Sequence, residues 1–153
     1  MEQIDKKKLV TTARQQLENG FVQEALRIYQ DILAIDPEYS QALHDLGMIQ
    51  FDAGNISEAI LLLKKTTQHD DKRPDFHNNL GTVLKASGDL VAAEKAFRKA
   101  LTLDRNLVPA LINIGSLLFE RGRIPAALKA LKRAIELAPE NSTALSSFAE
   151  ANK

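Results

Sequence analysis

Few side chains in this sequence could carry chemistry, and their spacing does not bring them together. The chain has three histidines and no cysteine, which excludes disulfides, thiolate metal sites and cysteine nucleophiles. His44 and the adjacent Asp45 could form a metal-binding or acid–base pair. Neighbouring residues on a helix point in different directions, however, and no third ligand is placed to join them. We therefore interpret His44 as a solvated groove residue, and we predict no catalytic residue, no metal and no other cofactor.

Charge and composition exclude further classes of function. The chain has 20 Lys and Arg residues and 20 Asp and Glu residues, and this balance does not favour nucleic acid or an anionic membrane as the partner. Hydrophobic residues make up 44% and charged residues 26% of the 153 residues, as in folded proteins. The uninterrupted apolar stretches are too short to span a bilayer. We expect no nucleic-acid partner, no membrane insertion and, since cysteine is absent, a reducing cytoplasmic location.

A period of 34 residues organises the sequence. Glycines keep this step at Gly20, Gly54, Gly88 and Gly122. Alanines keep the same step at Ala25, Ala59, Ala93 and Ala127. A fixed period of this length indicates stacked helical or mixed units, each leaving an apolar face that the next unit must bury. We number the repeats 6–39, 40–73, 74–107 and 108–141, each with positions 1 to 34, and a remainder of 142–153 follows.

Each repeat carries two helical patterns separated by a short break. In the third repeat, Leu80 and Leu84 fall at helical spacing before Gly88. A glycine there can adopt the left-handed conformation that ends a helix. The residue after it, Asn55 or Asp89 in the middle repeats, can cap the next helix. The predicted helices are 7–19, 22–35, 40–52, 56–68, 74–86, 90–103, 108–120 and 124–137.

Side-chain size predicts how the two helices of a repeat pack. Position 8 holds Ala13, Gly47, Gly81 and Gly115, and position 20 holds the four alanines. These positions lie on the facing stripes of the two helices, where small side chains let the helix axes approach closely. Position 24 holds the large residues Tyr29, Leu63, Phe97 and Leu131. We expect these large side chains to reach outward to the neighbouring repeat.

These residues resemble the tetratricopeptide-repeat family. Its pattern has large apolar residues at positions 4, 7, 11 and 24, small residues at 8, 20 and 27, and proline at 32. The stretch from Asn78 to Ala100 matches closely, whereas position 4 is never Trp and is His77 in repeat three. We interpret His77 as a core residue. The resemblance implies an all-α fold, a right-handed superhelical solenoid of antiparallel helix pairs, in a single domain over residues 1–153.

The resemblance also implies a binding surface. In this family the first helix of each pair lines a concave groove through positions 2, 5, 6, 9, 12 and 13. The groove residues predicted in this way are Arg14, His44, Met48, Phe51, Asn78, Asn79, Thr82, Lys85, Ile112, Asn113, Ser116 and Phe119. Methionine and aromatic side chains adapt to peptides, although Phe51 and Phe119 could equally be core residues. Asn79 and Asn113 lie one repeat apart, so we expect their amides side by side, offering donors and acceptors to a peptide backbone.

Two subgroups of the family can be compared with these positions. Chaperone-tail binders use a clamp of Lys and Asn in the first repeat, Asn in the second, and Lys and Arg in the third. Here repeat one has Val10 and Arg14 at positions 5 and 9, and repeat three has Asp75 and Asn79 at positions 2 and 6, so the clamp is absent. In O-linked N-acetylglucosamine transferases, asparagines at position 6 form a ladder along the repeat arm. Asn79 and Asn113 match this ladder, whereas Thr11 and Asp45 do not. The chain therefore partly resembles the repeat arm of these transferases.

We expect a non-catalytic adaptor or scaffold that binds a protein or peptide segment in its groove. The alternative is a substrate-recruiting arm of a larger enzyme, such as a glycosyltransferase. The remainder 142–153 has two interpretations, a capping helix or the first helix of a fifth repeat, since Leu145 and Phe148 fall at positions 4 and 7. An apolar end favours self-contact, so weak end-to-end self-association is a further expectation.

Overall fold

A computed structural model describes residues 4–153, and these residues form nine α-helices and no strand. The helices are α1 (Lys6–Glu18), α2 (Val22–Ile35), α3 (Ser40–Asp52), α4 (Ile56–His69), α5 (Pro74–Ala86), α6 (Leu90–Leu103), α7 (Val108–Glu120), α8 (Ile124–Leu137) and α9 (Ser142–Ala151). The eight predicted helices are confirmed to within one residue at each end. Within residues 4–153, no helix combines the length and apolar character needed to cross a membrane.

The chain divides into two compact units. The first ends at Asp71 and contains α1 to α4, and the second begins at Lys72 and contains α5 to α9. In the first unit α1 packs on α2 and α3 packs on α4; in the second, α5 packs on α6 and α7 packs on α8. Short turns join the members of each pair, so the pairs are antiparallel hairpins. Each unit thus holds two of the predicted repeats, and the assignment of residues 1–153 to a single domain stays a prediction.

A glycine ends the first helix of every pair, as predicted. Gly20, Gly54, Gly88 and Gly122 have φ between 72° and 88°, a backbone conformation that side chains with a Cβ rarely adopt. At the end of α1, the Phe21 N–H donates to the Gln16 carbonyl at 2.8 Å. This bond spans the left-handed residue and satisfies a carbonyl group that the helix leaves open.

The starts of the second helices are only partly as predicted. Asp89 caps α6, because its Oδ1 accepts the Ala92 N–H at 3.0 Å. Asn55 occupies the N-cap position of α4 but makes no side-chain cap bond. Its amide instead donates to Gln50 Oε1 at 2.7 Å, so the predicted capping role of Asn55 is wrong. The bond to Gln50, five residues earlier in the chain, fixes the Asn55 side chain in this other contact.

Close packing within a pair explains the glycines at position 8. A Cβ added to Gly81 would lie 2.6 Å from the ring of Phe97, and one added to Gly115 would lie 2.6 Å from Leu131 Cγ. Both large side chains are fully buried, and the four alanines at position 20 are also fully buried. The expectation that position 24 reaches outward to the neighbouring repeat is confirmed for Tyr29, whose hydroxyl donates to Asp45 of repeat two at 3.0 Å. Phe97 and Leu131 pack over the glycine of their own pair as well, because the missing Cβ leaves space there.

Residues 142–151 form α9, which packs against α7 and α8. Asn141 caps this helix by accepting the Ala144 N–H at 2.9 Å. Ala144 and Ala151 are buried and Phe148 is partly buried, whereas Leu145 is 44% exposed. The helix thus covers the end of the second unit with one face and leaves an apolar residue exposed on the other.

Candidate functional site

One buried carboxylate, Asp45 of α3, organises the predicted surface of the first unit. Arg14 of α1 donates two hydrogen bonds to it, from Nε to Oδ2 at 2.8 Å and from Nη2 to Oδ1 at 3.0 Å. The Tyr29 hydroxyl of α2 donates to Oδ2 at 3.0 Å. Gln41 Nε2 donates to Oδ1 at 2.9 Å, and His44 Nδ1 lies 2.9 Å from the same oxygen. Four side chains from three helices therefore converge on Asp45 and tie α1, α2 and α3 together.

Hydrogen bonds and nearby charges keep the Asp45 carboxylate ionised. Burial opposes the charge on Asp45, but hydrogen bonds from His44 and Arg14 outweigh it and hold the pKa of Asp45 well below its usual range. The hydrogen bond to Asp45 raises the pKa of Arg14. Burial, followed by the charge of Asp45, raises the pKa of Tyr29. At neutral pH the carboxylate is therefore charged, fully occupied by donors of its own protein, and unsuited to act as a free acid or a cation ligand.

The structure places the predicted residues of the first unit at different depths. The Arg14 side chain is 51% exposed, held at the surface by Asp45. His44 is buried with its side chain 10% exposed, so its interpretation as a solvated residue is wrong; the hydrogen-bonding contact with Asp45 compensates for its burial. Met48 and Phe51 are partly buried on the same helix and remain candidates for ligand contact.

In the second unit, polar side chains form a connected row across α5 and α7. Asn113 Nδ2 donates to Asn78 Oδ1 at 3.0 Å and to Thr82 Oγ1 at 3.3 Å. Asn78 Nδ2 in turn donates to Asn79 Oδ1 at 3.4 Å. Asn78 is buried, whereas the other three residues are partly buried. Asn78 therefore holds Asn79 and Asn113 in place from a buried position. Asn79, Thr82 and Asn113 form the accessible part of the row.

A second contact continues this row by about one helical turn. Lys85 Nζ donates to Ser116 Oγ at 3.0 Å and forms an ion pair with Glu120 Oε1 at 2.6 Å. Phe119, the neighbour of Glu120, is partly buried. We call the accessible residues of this surface the α5–α7 row, which comprises Asn79, Thr82, Lys85, Asn113, Ser116 and Phe119.

Two of the second unit's predicted residues need correction. Ile112 is buried in a core cluster with Leu111, Ala134 and Ala144, so it is not available to a ligand. Ala144 of this cluster comes from α9, which follows the fourth repeat. The Asn113 amide was expected to offer both donor and acceptor. Its NH2 group donates to Asn78 and Thr82 within the protein. Its carbonyl oxygen makes no hydrogen bond with any of residues 4–153, so the acceptor alone is left for a ligand.

Sequence reasoning missed the roles of Asp45, Tyr29, Gln41 and Glu120. The spacing of four between Gln41 and Asp45 was a usable signal, because residues four apart are neighbours on a helix. Nothing in the sequence pairs Arg14 with Asp45, which is 31 residues away. Among residues 4–153, no group of three or more His, Asp or Glu residues comes together as a metal site would require.

Comparison with known proteins agrees with this architecture. Two sequence profiles of the tetratricopeptide repeat match residues 16–80 and 75–140. None of the curated protein sequences matches the chain significantly. Among solved structures, MamA superposes with a TM-score of 0.82 at 25% identity, covering 91% of this chain and 81% of MamA. YrrB, described as a tetratricopeptide-repeat protein with an unusual peptide-binding site, superposes at 0.80 with 21% identity, covering 96% of this chain and 76% of YrrB.

An enzyme is also similar. The O-GlcNAc transferase of Thermobaculum terrenum superposes with a TM-score of 0.76 at 30% identity, covering 87% of this chain but only 27% of the transferase. The likeness to YrrB shows the fold alone, because its identity is low. The two profile matches together span residues 16–140, which include parts of all four predicted repeats. The chain belongs to the tetratricopeptide-repeat family, is an all-α helical-repeat protein, and is a protein-interaction module.

Proposed function

We propose that the chain binds an extended protein or peptide segment through the α5–α7 row. The observation that supports this most is the connected set of polar side chains that α5 and α7 present together, Asn113 bonded to Thr82 and Lys85 bonded to Ser116. These groups are only partly buried, so a ligand can reach them. Cross-helix bonds hold them in place before a ligand arrives, which lowers the entropy that binding must cost.

The chemistry of the row suits a peptide backbone. The Asn113 carbonyl oxygen can accept a backbone N–H, because the amide's own NH2 group is fixed within the row. Asn79 lies on the neighbouring helix, one repeat earlier in the chain. Phe119 adds a partly buried apolar surface for a side chain of the ligand. Contacts to backbone groups tolerate many ligand sequences, while the apolar contact selects among them.

The first unit, taken by itself, offers a separate candidate contact of different character. Arg14 is half exposed and fixed by Asp45 in a two-point contact. Such a guanidinium keeps further N–H donors for an acidic side chain of the ligand. Met48 and Phe51 lie on α3 as partly buried apolar residues, and a flexible thioether adapts to different ligands. The sequence-based assignment of Met48 and Phe51 to the binding surface is part of this proposal.

The similarity to a transferase supports a second candidate role, that of a substrate-recruiting arm. It rests on Asn79 and Asn113 together with 30% identity over 87% of the chain. In this role the α5–α7 row still binds a segment, and any catalysis lies outside residues 1–153. Mapping the transcript and its reading frame beyond Lys153 distinguishes the two, since an in-frame catalytic domain would establish the arm. We propose no catalytic activity, no nucleic-acid partner and only weak end-to-end self-association for the chain itself, in the cytoplasm.

A peptide-display selection against the chain tests the proposed site. Peptides selected on the unmodified protein should lose about 10- to 100-fold in affinity for the double variant Asn79→Ala and Asn113→Ala, which corresponds to about 1–3 kcal/mol for buried hydrogen bonds. Affinity is measured by titration calorimetry. Helicity measured by circular dichroism should not change.

Asn152→Ala is the matched control, because Asn152 is an exposed residue of the same unit that is outside the row. It should leave affinity unchanged. Selected peptides that bind the double variant as tightly as the parent would place the binding surface elsewhere. So would peptides whose affinity collapses when only their C-terminal carboxylate is amidated, because the row contains no charge clamp for that group.

A further inference from the structure

Glu94 of α6 departs from the chain's own repeat pattern. It occupies position 21, where the other repeats have Leu26, Ile60 and Leu128. Its side chain is only 12% exposed, and a buried carboxylate is costly unless it is paired. A charged residue in an aliphatic slot therefore indicates partners that the other repeats do not have.

Those partners are three arginines. Arg98, one turn further along α6, donates to Glu94 Oε1 from Nε at 2.9 Å and from Nη2 at 2.7 Å. Arg123 donates from Nη1 to the same oxygen at 3.0 Å. Arg121 pairs with Oε2 through Nη1. Arg121 and Arg123 flank Gly122, whose φ of 72° reverses the chain between α7 and α8. We call these four residues the arginine cluster.

The charge of the cluster is unbalanced. In residues 4–153 the ion pairs of all three arginines end on Glu94, which leaves a formal surplus of two positive charges. One arginine would suffice to neutralise the carboxylate and to fasten α6 to the α7–α8 turn. Three guanidinium groups held on one carboxylate repel one another, so a further anion would lower the free energy of the cluster.

The cluster also has donors to spare. The three arginine side chains are 54%, 34% and 50% exposed for Arg98, Arg121 and Arg123. Each guanidinium carries five N–H donors, and the bonds to Glu94 use one or two of them. Arg123 is in addition the N-cap residue of α8, which has no side-chain cap bond. The positive end of this helix dipole adds to the attraction for an anion.

We propose that the arginine cluster is a binding site for a phosphoryl group, which carries two negative charges and matches the surplus of the cluster. Guanidinium groups bind phosphate oxygens through paired N–H donors, and Glu94 holds the three side chains in position for this contact. The group could arrive as free phosphate or on a phosphorylated serine of a protein partner. The site is separate from the α5–α7 row and does not depend on the peptide-binding proposal.

Arginine side-chain NMR of the full chain tests the site. Inorganic phosphate at pH 7.5 should shift the Nε–Hε signals of Arg98, Arg121 and Arg123 in a saturable manner. Chloride at the same ionic strength should not. Arg123→Gln should weaken phosphate binding about tenfold, since it removes one charge in direct contact with the anion. Arg98→Gln, which changes α6 instead of the start of α8, should weaken phosphate binding by a similar factor. It replaces the first variant in the test if Arg123→Gln does not fold.

Arg133→Gln is the matched control, because Arg133 is an exposed arginine of α8 that pairs with Glu136 outside the cluster. It should leave phosphate affinity unchanged. A short glycine–serine peptide with one phosphoserine, compared with its unphosphorylated form, separates the two sources. If the phosphopeptide binds more tightly than inorganic phosphate, the ligand is a phosphorylated partner. If inorganic phosphate binds and the phosphopeptide does not bind more tightly, the ligand is the free anion. Shifts that chloride reproduces, or affinities that survive both cluster variants, would show that the arginines serve only to fasten α6 to the turn.

Discussion

Replacing Asp45 with asparagine should destabilise the first unit more than any change confined to its surface. The side chain keeps its shape, but the charge that holds Arg14 is lost. The new NH2 group must also face at least one donor, because both oxygens of Asp45 accept hydrogen bonds, with Tyr29 on Oδ2 and Gln41 on Oδ1. A buried donor left without an acceptor costs about 1–3 kcal/mol, and the lost pair with Arg14 adds little, because the Arg14 side chain is 51% exposed.

Urea unfolding followed by circular dichroism measures this cost. With an m-value of about 2 kcal/mol/M, the midpoint for the first unit should fall by about 1 M. Arg14→Gln is the matched comparison. The Arg14 side chain is 51% exposed, so its loss should cost less than the loss of Asp45, which is 9% exposed. A double-mutant cycle of the two variants should show strong coupling, because they remove the same contact.

The pH dependence gives an independent check. The pKa of Asp45 is depressed in the folded state and is about 3.9 when the chain is unfolded. Its contribution to stability is therefore fully present above about pH 5 and is lost as the pH falls below about 4 toward the folded pKa. The difference in stability between the parent and Asp45→Asn should be constant near neutrality and shrink below about pH 4. A difference under about 1 kcal/mol at pH 7, or one that does not shrink in acid, would refute the proposed role of the carboxylate.

Two further perturbations test the packing. In Gly81→Ala the new Cβ would lie 2.6 Å from the ring of Phe97, and this overpacking should lower the free energy of unfolding by about 1–3 kcal/mol. The better helix propensity of alanine offsets up to about 1 kcal/mol of that loss. Gly47→Ala should be near neutral in the same thermal melts, since its nearest contact, Leu63 Cγ, lies at 3.1 Å; equal costs at the two sites would contradict this account. Deleting residues 142–153 should uncover the core beneath α9, lower the melting temperature and promote association seen by analytical ultracentrifugation, whereas unchanged melting and a strictly monomeric product would show that α9 is dispensable.

The sequence by itself determined the helices and their pairing. Helical periodicity and a glycine that ends a helix are local properties, so the bounds of α1 to α8 followed to within one residue. The 34-residue step placed small residues at position 8, and their need for close approach is visible at Gly81. Repetition strengthened each inference, because four copies of one pattern reduce the effect of any single unusual residue.

Only the tertiary structure decided which polar residues are buried and which groups they pair with. Periodicity indicates which face of a helix a residue occupies, but whether a charge there is solvated or buried depends on the donors that other helices bring to it. Asp45 is buried because Arg14, 31 residues away, pairs with it, and Glu94 is buried because Arg121, 27 residues away, does so. Ile112 is a core residue because α9 covers it. Such contacts join residues that differ between repeats, so the period that revealed the fold contains no information about them.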